Sequence, residues 1–263
     1  MLNLVKADLF RIIKSKLAIV SLIIVAATPI LVVGMYYGIS LMMNVMDDSG
    51  ELGLFINAKI LMANSFSVSD NVGLVVPVFA SIFVALDVSN GTLRNKVIAG
   101  HSRTSIYFSH LICSILYSVV MIVLYATLTT LLGLAFFDYG VEIDANEIKN
   151  IIYTIINGIT TFAFMATIAT LFALIIPSVA PAIIFTVLVA VALSLAAGIS
   201  GLLIGASENA KHFVYLIPTY ATSTSLLGTM DETVFLEGMA SYAFFGGLNI
   251  YLALLVFRKK DLK

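Results

Sequence analysis

Few residues in this chain could carry out covalent chemistry. Gly198-Ile199-Ser200-Gly201 is a G-x-S-G run inside an apolar stretch, the pattern a membrane-embedded serine nucleophile would use. Such a serine needs a base within hydrogen-bond reach, and the only histidine downstream is His212, in a polar segment ahead of the last apolar run. Gly198 and Gly201 read instead as small residues that permit close helix packing. His101, His110 and His212 are scattered, with His110 near the start of the third apolar run, where it reads as an interfacial side chain. Cys113, the one cysteine, reads as a small buried filler. One thiol supports neither a disulfide framework nor a thiolate metal cage, so no catalytic residue and no metal ligand is assigned. No G-x-x-x-x-G-K-[ST] phosphate loop occurs, so any ATP the protein uses must be bound on another polypeptide.

The most informative stretch is Asp87-Val88-Ser89-Asn90-Gly91-Thr92-Leu93-Arg94-Asn95-Lys96-Val97-Ile98-Ala99-Gly100-His101-Ser102-Arg103-Thr104. Asn90-Gly91 suits the end of a helix, because glycine at C′ takes the left-handed conformation cheaply. Thr92 is then the expected cap of a short helix over 91–99, and Ser102 or Thr104 the cap of the next long one. Leu93, Val97 and Ile98 supply apolar side chains and Arg94 and Lys96 basic ones, a surface suited to docking in a groove on another protein. The same composition also fits a basic loop that only sets topology.

These segments must be positioned by membrane-spanning elements. Of the 263 residues, 60% are hydrophobic and 11% charged, and the mean hydropathy is +1.07. An ordinary soluble domain carries roughly 25% charged residues, so a water-soluble globule is excluded. The net charge of −1 argues against a nucleic-acid binder with a broad basic face. A spanning helix needs about 20 mostly apolar residues, and the runs predict six, over about 17–39, 71–88, 106–137, 150–176, 181–205 and 238–257. The second is confined between Asp70 and Asp87, too short to keep both aspartates clear of the membrane edge. The uncharged run 150–207 divides at Pro177-Ser178-Val179-Ala180-Pro181, where two prolines favour a hairpin.

Charge predicts the orientation. Eleven of the 14 Lys and Arg residues fall in the N-terminal leader, the 87–104 connection and the C-terminal tail, whereas the other loops hold Lys59, Lys149 and Lys211 among twelve acids. Cytoplasmic loops accumulate Lys and Arg, so both termini are expected inside. The uncharged stretch from His212 to Met230 contains Pro218 and many hydroxyls. Reading it as a crossing would put Arg258-Lys259-Lys260 outside, so the segment 206–237 is expected to be outer or re-entrant, packed on protein. The leader 1–16 alternates with a helical period: Leu2, Val5, Leu9, Ile12 and Ile13 on one side, Lys6, Asp8, Arg11 and Lys14 on the rest. That describes an amphipathic helix lying on the membrane surface. The first apolar run is too long for a cleaved signal peptide and no A-x-A site follows it.

A basic amphipathic leader, six spans, an acid closing span two and then Gly-Thr-Leu-Arg-Asn-Lys with Ala-Gly-His-Ser-Arg-Thr soon after resemble the permease subunits of ABC-2 type bacterial ABC transporters. The resemblance covers the whole chain in layout and is specific around 87–104; Tyr215-Leu216-Ile217-Pro218-Thr219-Tyr220 is a weaker second match. It implies an all-α integral membrane protein of the bacterial cytoplasmic membrane, with the leader as an elbow helix. The loop after span two becomes the coupling helix, with Asp87, Gly91, Thr92, Leu93, Arg94, Asn95, Lys96, Val97 and Arg103 serving contact with a separate cytosolic ATPase. ATP and Mg would sit on that partner, and no cofactor on this chain. One chain supplies half of the usual membrane domain, so a second copy or a paralogue is expected, and membrane lipid around both.

A charged Asp at mid-bilayer costs about 2.5–3.5 kcal/mol, so Asp87 is expected to have a partner such as Arg94 or Arg103. The expected activity is export of an amphipathic or hydrophobic substrate, a peptide, drug or lipid, along a pathway lined by Phe79, Phe83, Thr127, Thr160, Thr161, Phe185 and Leu188. Lipid-facing packing is the plainer reading of each of those side chains. An ATP-independent secondary transporter is the competing class, although such proteins usually keep ionisable groups within their spans and 150–207 has none. A membrane protein without transport, of the immunity type, is the third.

Overall fold

A computed structural model of the chain describes residues 1–46, 56–68, 72–204, 214–225 and 232–260. Asp47, Asp48, Glu51, Asp70, Glu208, Lys211, His212, Asp231, Asp261 and Lys263 lie outside the described residues. Among the described residues, the helices run in chain order: α1 (Leu2–Lys14), α2 (Lys16–Met46), α3 (Ala58–Ser65), α4 (Val75–Ser89), α5 (Thr92–Ile98), α6 (Arg103–Phe136), α7 (Ala145–Ile175), α8 (Val179–Ile204), α9 (Tyr220–Ser225) and α10 (Glu232–Lys259). There is no strand among the described residues. Helices α2, α6, α7, α8 and α10 are long and apolar enough to cross a membrane, and α4 with α5, bent by 61°, makes a sixth crossing if the pair counts as one. The chain is a multi-pass membrane protein.

Local chemistry sets the ends. The Ser102 hydroxyl accepts the Ser105 amide at 3.2 Å and the Asp144 carboxylate accepts the Glu147 amide at 2.7 Å, starting α6 and α7. Helix α7 stops at Ile175, and α8 resumes at Val179 with Pro181 in its first turn, where a missing N–H leaves no helical bond unmade. The predicted hairpin is therefore present.

Helix α7 is the centre of the bundle, packed against α4, α6, α8 and α10. Its Phe162, Met165, Ala166 and Ala169 are fully buried. Helix α2, by contrast, buries Ser21, Val25, Pro29 and Val33 among its described side chains, a single stripe at every fourth residue. It runs unbroken through Pro29 and leans on α6. Most of its other aliphatic side chains face outward, as expected of a helix in lipid.

The segment after the first span is not a plain outer loop. Residues 57–74 contain α3, whose Ala58, Leu61, Met62, Ala63 and Ser65 are buried. Its polar end is satisfied at the rim: Asn57 caps the helix by accepting the Ile60 amide, Lys59 pairs with Glu147 at 2.7 Å, and Tyr139 donates to the other Glu147 oxygen at 2.8 Å. Burial, and then the Glu147 bond, push the Tyr139 phenol above its ordinary pKa. The apolar end presses Leu61 toward Gly133 of α6 and the Phe66 ring onto Gly158 of α7, where an added Cβ would lie 2.1 Å from the ring. Helix α4 is only 15 residues, about 22 Å at 1.5 Å per residue.

Between α8 and α10 the described part is a tight turn and the six-residue α9, not a span. The Thr219 hydroxyl donates to Leu193 O at 3.2 Å, and Ser241 donates to Leu216 O at 2.7 Å. Leu193 and Ser241 are interior positions of α8 and α10. The described portion of the 206–237 segment therefore packs against interior positions of both helices. Thr219 makes its turn at φ 79°, unusual for a β-branched residue.

Candidate functional site

The ends of α1, α4, α5 and α6 meet at one end of the bundle around a buried charged cluster. Helix α1 turns Leu4, Asp8 and Ile12, spaced by four, into the bundle. Asp8 accepts from Lys96 of α5 at 2.7 and 3.0 Å and from the Ser109 hydroxyl of α6 at 2.7 Å. Arg11, one turn on, hydrogen-bonds and ion-pairs with Asp87 of α4 and lies 3.7 Å from Asp8. Lys96 also stands 3.5 Å from Asp87 and 3.2 Å from His110 Nε2, and that same nitrogen is 3.5 Å from Asp87. Two cations, Lys96 and Arg11, thus face two carboxylates, Asp8 and Asp87, with His110 beside them. Burial works to raise the Asp8 carboxyl. The pull of His110, the hydrogen bonds from Lys96 and Ser109 and the Lys96 charge outweigh it and hold Asp8 below the usual carboxylate range.

The expected partners of Asp87 are corrected by this geometry. Arg94 is exposed. Arg103 turns the other way, donating to Phe257 O at 3.1 Å and Arg258 O at 3.0 Å at the end of α10. Lys260 in turn donates to Leu174 O and Ile175 O at the end of α7. These basic residues close helix C-termini, where carbonyls lack intrahelical donors, and Lys260 is lowered from its ordinary pKa by burial.

Helix α5 is seven residues and follows Gly91, which holds φ 69° as expected for the C′ position of α4. Thr92 does not cap it: Gly91 occupies the N-cap and no side-chain cap bond forms. The expected apolar side is also revised. Leu93 is 2% exposed and Val97 packs beside it against the base of α4 and α6, whereas Ile98 is 73% exposed. Lys96 belongs with the inward pair, because positions i, i+3 and i+4 share a helix face. The outward face is Arg94, Asn95 and Ile98. Of the nine residues expected to serve the partner, the structure places Asp87 and Lys96 in the buried cluster, Leu93 and Val97 on the inward face of α5, Arg94 and Asn95 on its outward face, and Arg103 at the start of α6 against the end of α10; Gly91 and Thr92 form the half-buried start of α5.

The expected pathway residues are not gathered around one cavity. Phe83 is buried edge-on against Tyr117 with centroids 5.0 Å apart, and Phe79 packs on the same core. Thr161 is buried and bonds to Asn157 O and the Tyr242 hydroxyl, both at 2.8 Å. Thr160 faces a groove between α7 and α10, and Thr127 a separate one beside α3. Phe185 and Leu188 lie on the exposed face of α8. As for the G-x-S-G run, the Ser200 hydroxyl donates to Ala197 O at 2.7 Å within its own helix. A Cβ on Gly198 would meet nothing within 4 Å, so that glycine does not mediate packing within the chain.

Ser109 is not distinguished by the sequence, His110 reads there as an interfacial side chain and Cys113 as a filler, and Asp8 and Arg11 fall on the polar side of the leader; the structure instead buries Asp8 in the bundle. The Leu4-Asp8-Ile12 spacing was the one available signal, an acid in register with two aliphatic residues. Cys113 is buried next to the cluster and its thiol donates to Val5 O of α1 at 3.7 Å.

The fold and this cluster define a helical, multi-pass membrane protein in which a short terminal helix is tied by charge to the bend after α4. Residues 54–262 match the family described as Protein of unknown function (DUF2705), and the chain belongs to that family. No curated protein matches it.

Proposed function

We propose that this chain is the membrane-spanning permease subunit of an ATP-driven ABC-2 type exporter in a bacterial cytoplasmic membrane. The observation that carries the reading is α5. It is a short helix at a 61° bend, held to the bundle from within by Lys96, and it presents Arg94, Asn95 and Ile98 outward at the end that also carries α1 and the basic terminus of α10. In this reading that end is cytoplasmic, α1 is the elbow helix and α5 is the coupling helix that seats on a separate ATPase, which holds ATP and Mg.

Force on the outer face of α5 reaches the bundle by two routes. Leu93 and Val97 press on α4 and α6, and Lys96 pulls on α1 through Asp8 and on α4 through Asp87. A push on α5 therefore moves α1, α4 and α6 together, and nucleotide biases the equilibrium between two arrangements of these packed elements. The expected substrates are amphipathic or hydrophobic peptides, drugs or lipids, and the pathway forms with a second copy or a paralogue.

The test is affinity purification of the tagged chain in mild detergent, with identification of co-purifying proteins and an ATPase assay. A nucleotide-binding protein is expected with the native chain and is expected to be lost from Arg94→Glu/Ile98→Glu, both on the exposed face. Purification of a chain that carries no ATPase in either form overturns the reading and leaves a secondary transporter or a non-transport membrane protein.

A further inference from the structure

Helices α2, α3 and α6 enclose a recessed cavity of about 180 Å³ at the end of the bundle away from the chain termini. Tyr36 stands 20 residues beyond the start of α2, about 30 Å along it. The cavity is unusual for its surroundings because its lining is mostly polar: Tyr36, Asn64, Ser65, Tyr125 and Thr129. Among the described residues, no Lys, Arg, His, Asp or Glu lines it. Ser65 and Thr129 are almost fully buried and commit their hydroxyl protons to Leu61 O and Tyr125 O, at 2.7 and 2.9 Å. Each hydroxyl oxygen therefore offers an acceptor to the cavity, while the Asn64 amide can both donate and accept.

From this lining we infer that the cavity binds an uncharged, hydroxyl-bearing group: a sugar ring or glycerol moiety. Among the described residues, a phosphate or ammonium buried here would meet no counter-charge, which is costly in a low-dielectric interior. A purely apolar group would leave the acceptors of Ser65 and Thr129 unmet. Hydroxyls suit both the acceptors and the amide, and tyrosine rings offer flat apolar faces to a sugar. A cavity of ~150 Å³ holds a benzene-sized molecule, so about 180 Å³ has room for a six-membered ring. The same chemistry occurs on the headgroup of a neutral glycolipid and in free sugar. The lipid source is favoured because Met35, adjacent in sequence to Tyr36 of the cavity wall, is exposed on α2 and offers acyl chains a surface. This inference is independent of ATP coupling.

The experiment is native mass spectrometry of the full chain purified in a detergent without a sugar headgroup, titrated with monoglucosyl-diacylglycerol and, separately, with phosphatidylcholine of the same chains. The glycolipid is expected to bind at least about tenfold more tightly. Asn64→Leu and Thr129→Val are each expected to weaken it about fivefold, the worth of one hydrogen bond, with phosphatidylcholine binding unchanged. Tyr36→Phe removes one hydroxyl at a half-buried position and serves if the interior variants fail to fold. Competition by millimolar glucose, lost in the same variants, supports the site with free sugar as its source. Equal binding of the two lipids together with no effect of glucose, or affinities unmoved in every variant that folds, overturns it.

Discussion

Replacing Lys96 with Met should release α1 from the bundle, and the chain carries its own reporter. In Lys96→Met, Asp8 and Asp87 are left to share Arg11. At an effective dielectric of about 20, Lys96 gains about 6 kcal/mol from Asp8 at 2.7 Å and about 5 kcal/mol from Asp87 at 3.5 Å. Desolvation of the ammonium offsets most of this, and removing one partner of a buried pair costs about 3–5 kcal/mol because a charge is left uncompensated. Cys113, the only cysteine, is buried under α1 with its thiol on Val5 O. Its labelling by a membrane-permeant maleimide therefore measures undocking of α1. A loss of 3 kcal/mol or more speeds labelling at least about a hundredfold. Asp8→Leu/Lys96→Met leaves Arg11 and Asp87 as a balanced pair and should label more slowly than Lys96→Met alone. Labelling unchanged in the single variant, or faster in the double than in the single, would refute the reasoning that the cluster holds α1 by charge.

Three other outcomes follow from the same structure. Gly158→Ala places a methyl against the Phe66 ring and should cost about 1–3 kcal/mol in thermal stability, whereas Gly34→Ala, with open space around it, should be neutral or slightly stabilising. Arg103 Nη1 donates to both Phe257 O and Arg258 O, so Arg103→Ala leaves these last carbonyls of α10 without that donor; proteolysis at the end of α10 should quicken in Arg103→Ala, and an unchanged rate would contradict the contact. Docking lowers the Asp8 pKa, so its contribution is complete above the undocked value near 3.9 and fades as pH falls through the lower docked value. Amide exchange in α1, corrected for intrinsic rates, should stay protected down to about pH 4 and lose protection below it; loss already at pH 6 would contradict the shift.

Much of the fold was legible because lipid imposes long apolar runs and helix ends use local signals. Gly91, Ser102 and the Pro177 hairpin act through their immediate neighbours, and each does in the structure what its residue type predicts. Helix α3 was not legible: Lys59 and its flanking amides look like a loop until Glu147 and Tyr139, far along the chain, are seen to satisfy them. The charged cluster was hidden for the same reason. Asp87 takes its partner from Arg11, 76 positions away, and nothing local to Asp87 distinguishes that arginine from Arg94 or Arg103. The orientation of α5 could have been read more closely. Leu93, Lys96 and Val97 share a helical face by spacing alone, which leaves Ile98 with Arg94 on the other. The pathway residues were chosen by type within apolar runs, and type does not say which way a lipid-embedded helix is rotated.

The most direct test of the central claim is cross-linking from α5 to a partner ATPase. In a Cys113→Ser background, Ile98→Cys on the outward face and Val97→Cys on the inward face would be compared in native membranes with a short photoactivatable thiol reagent. The account predicts a cross-linked adduct with a nucleotide-binding protein from position 98 and little or none from position 97. No such adduct from position 98, or equal adducts from both, would contradict it.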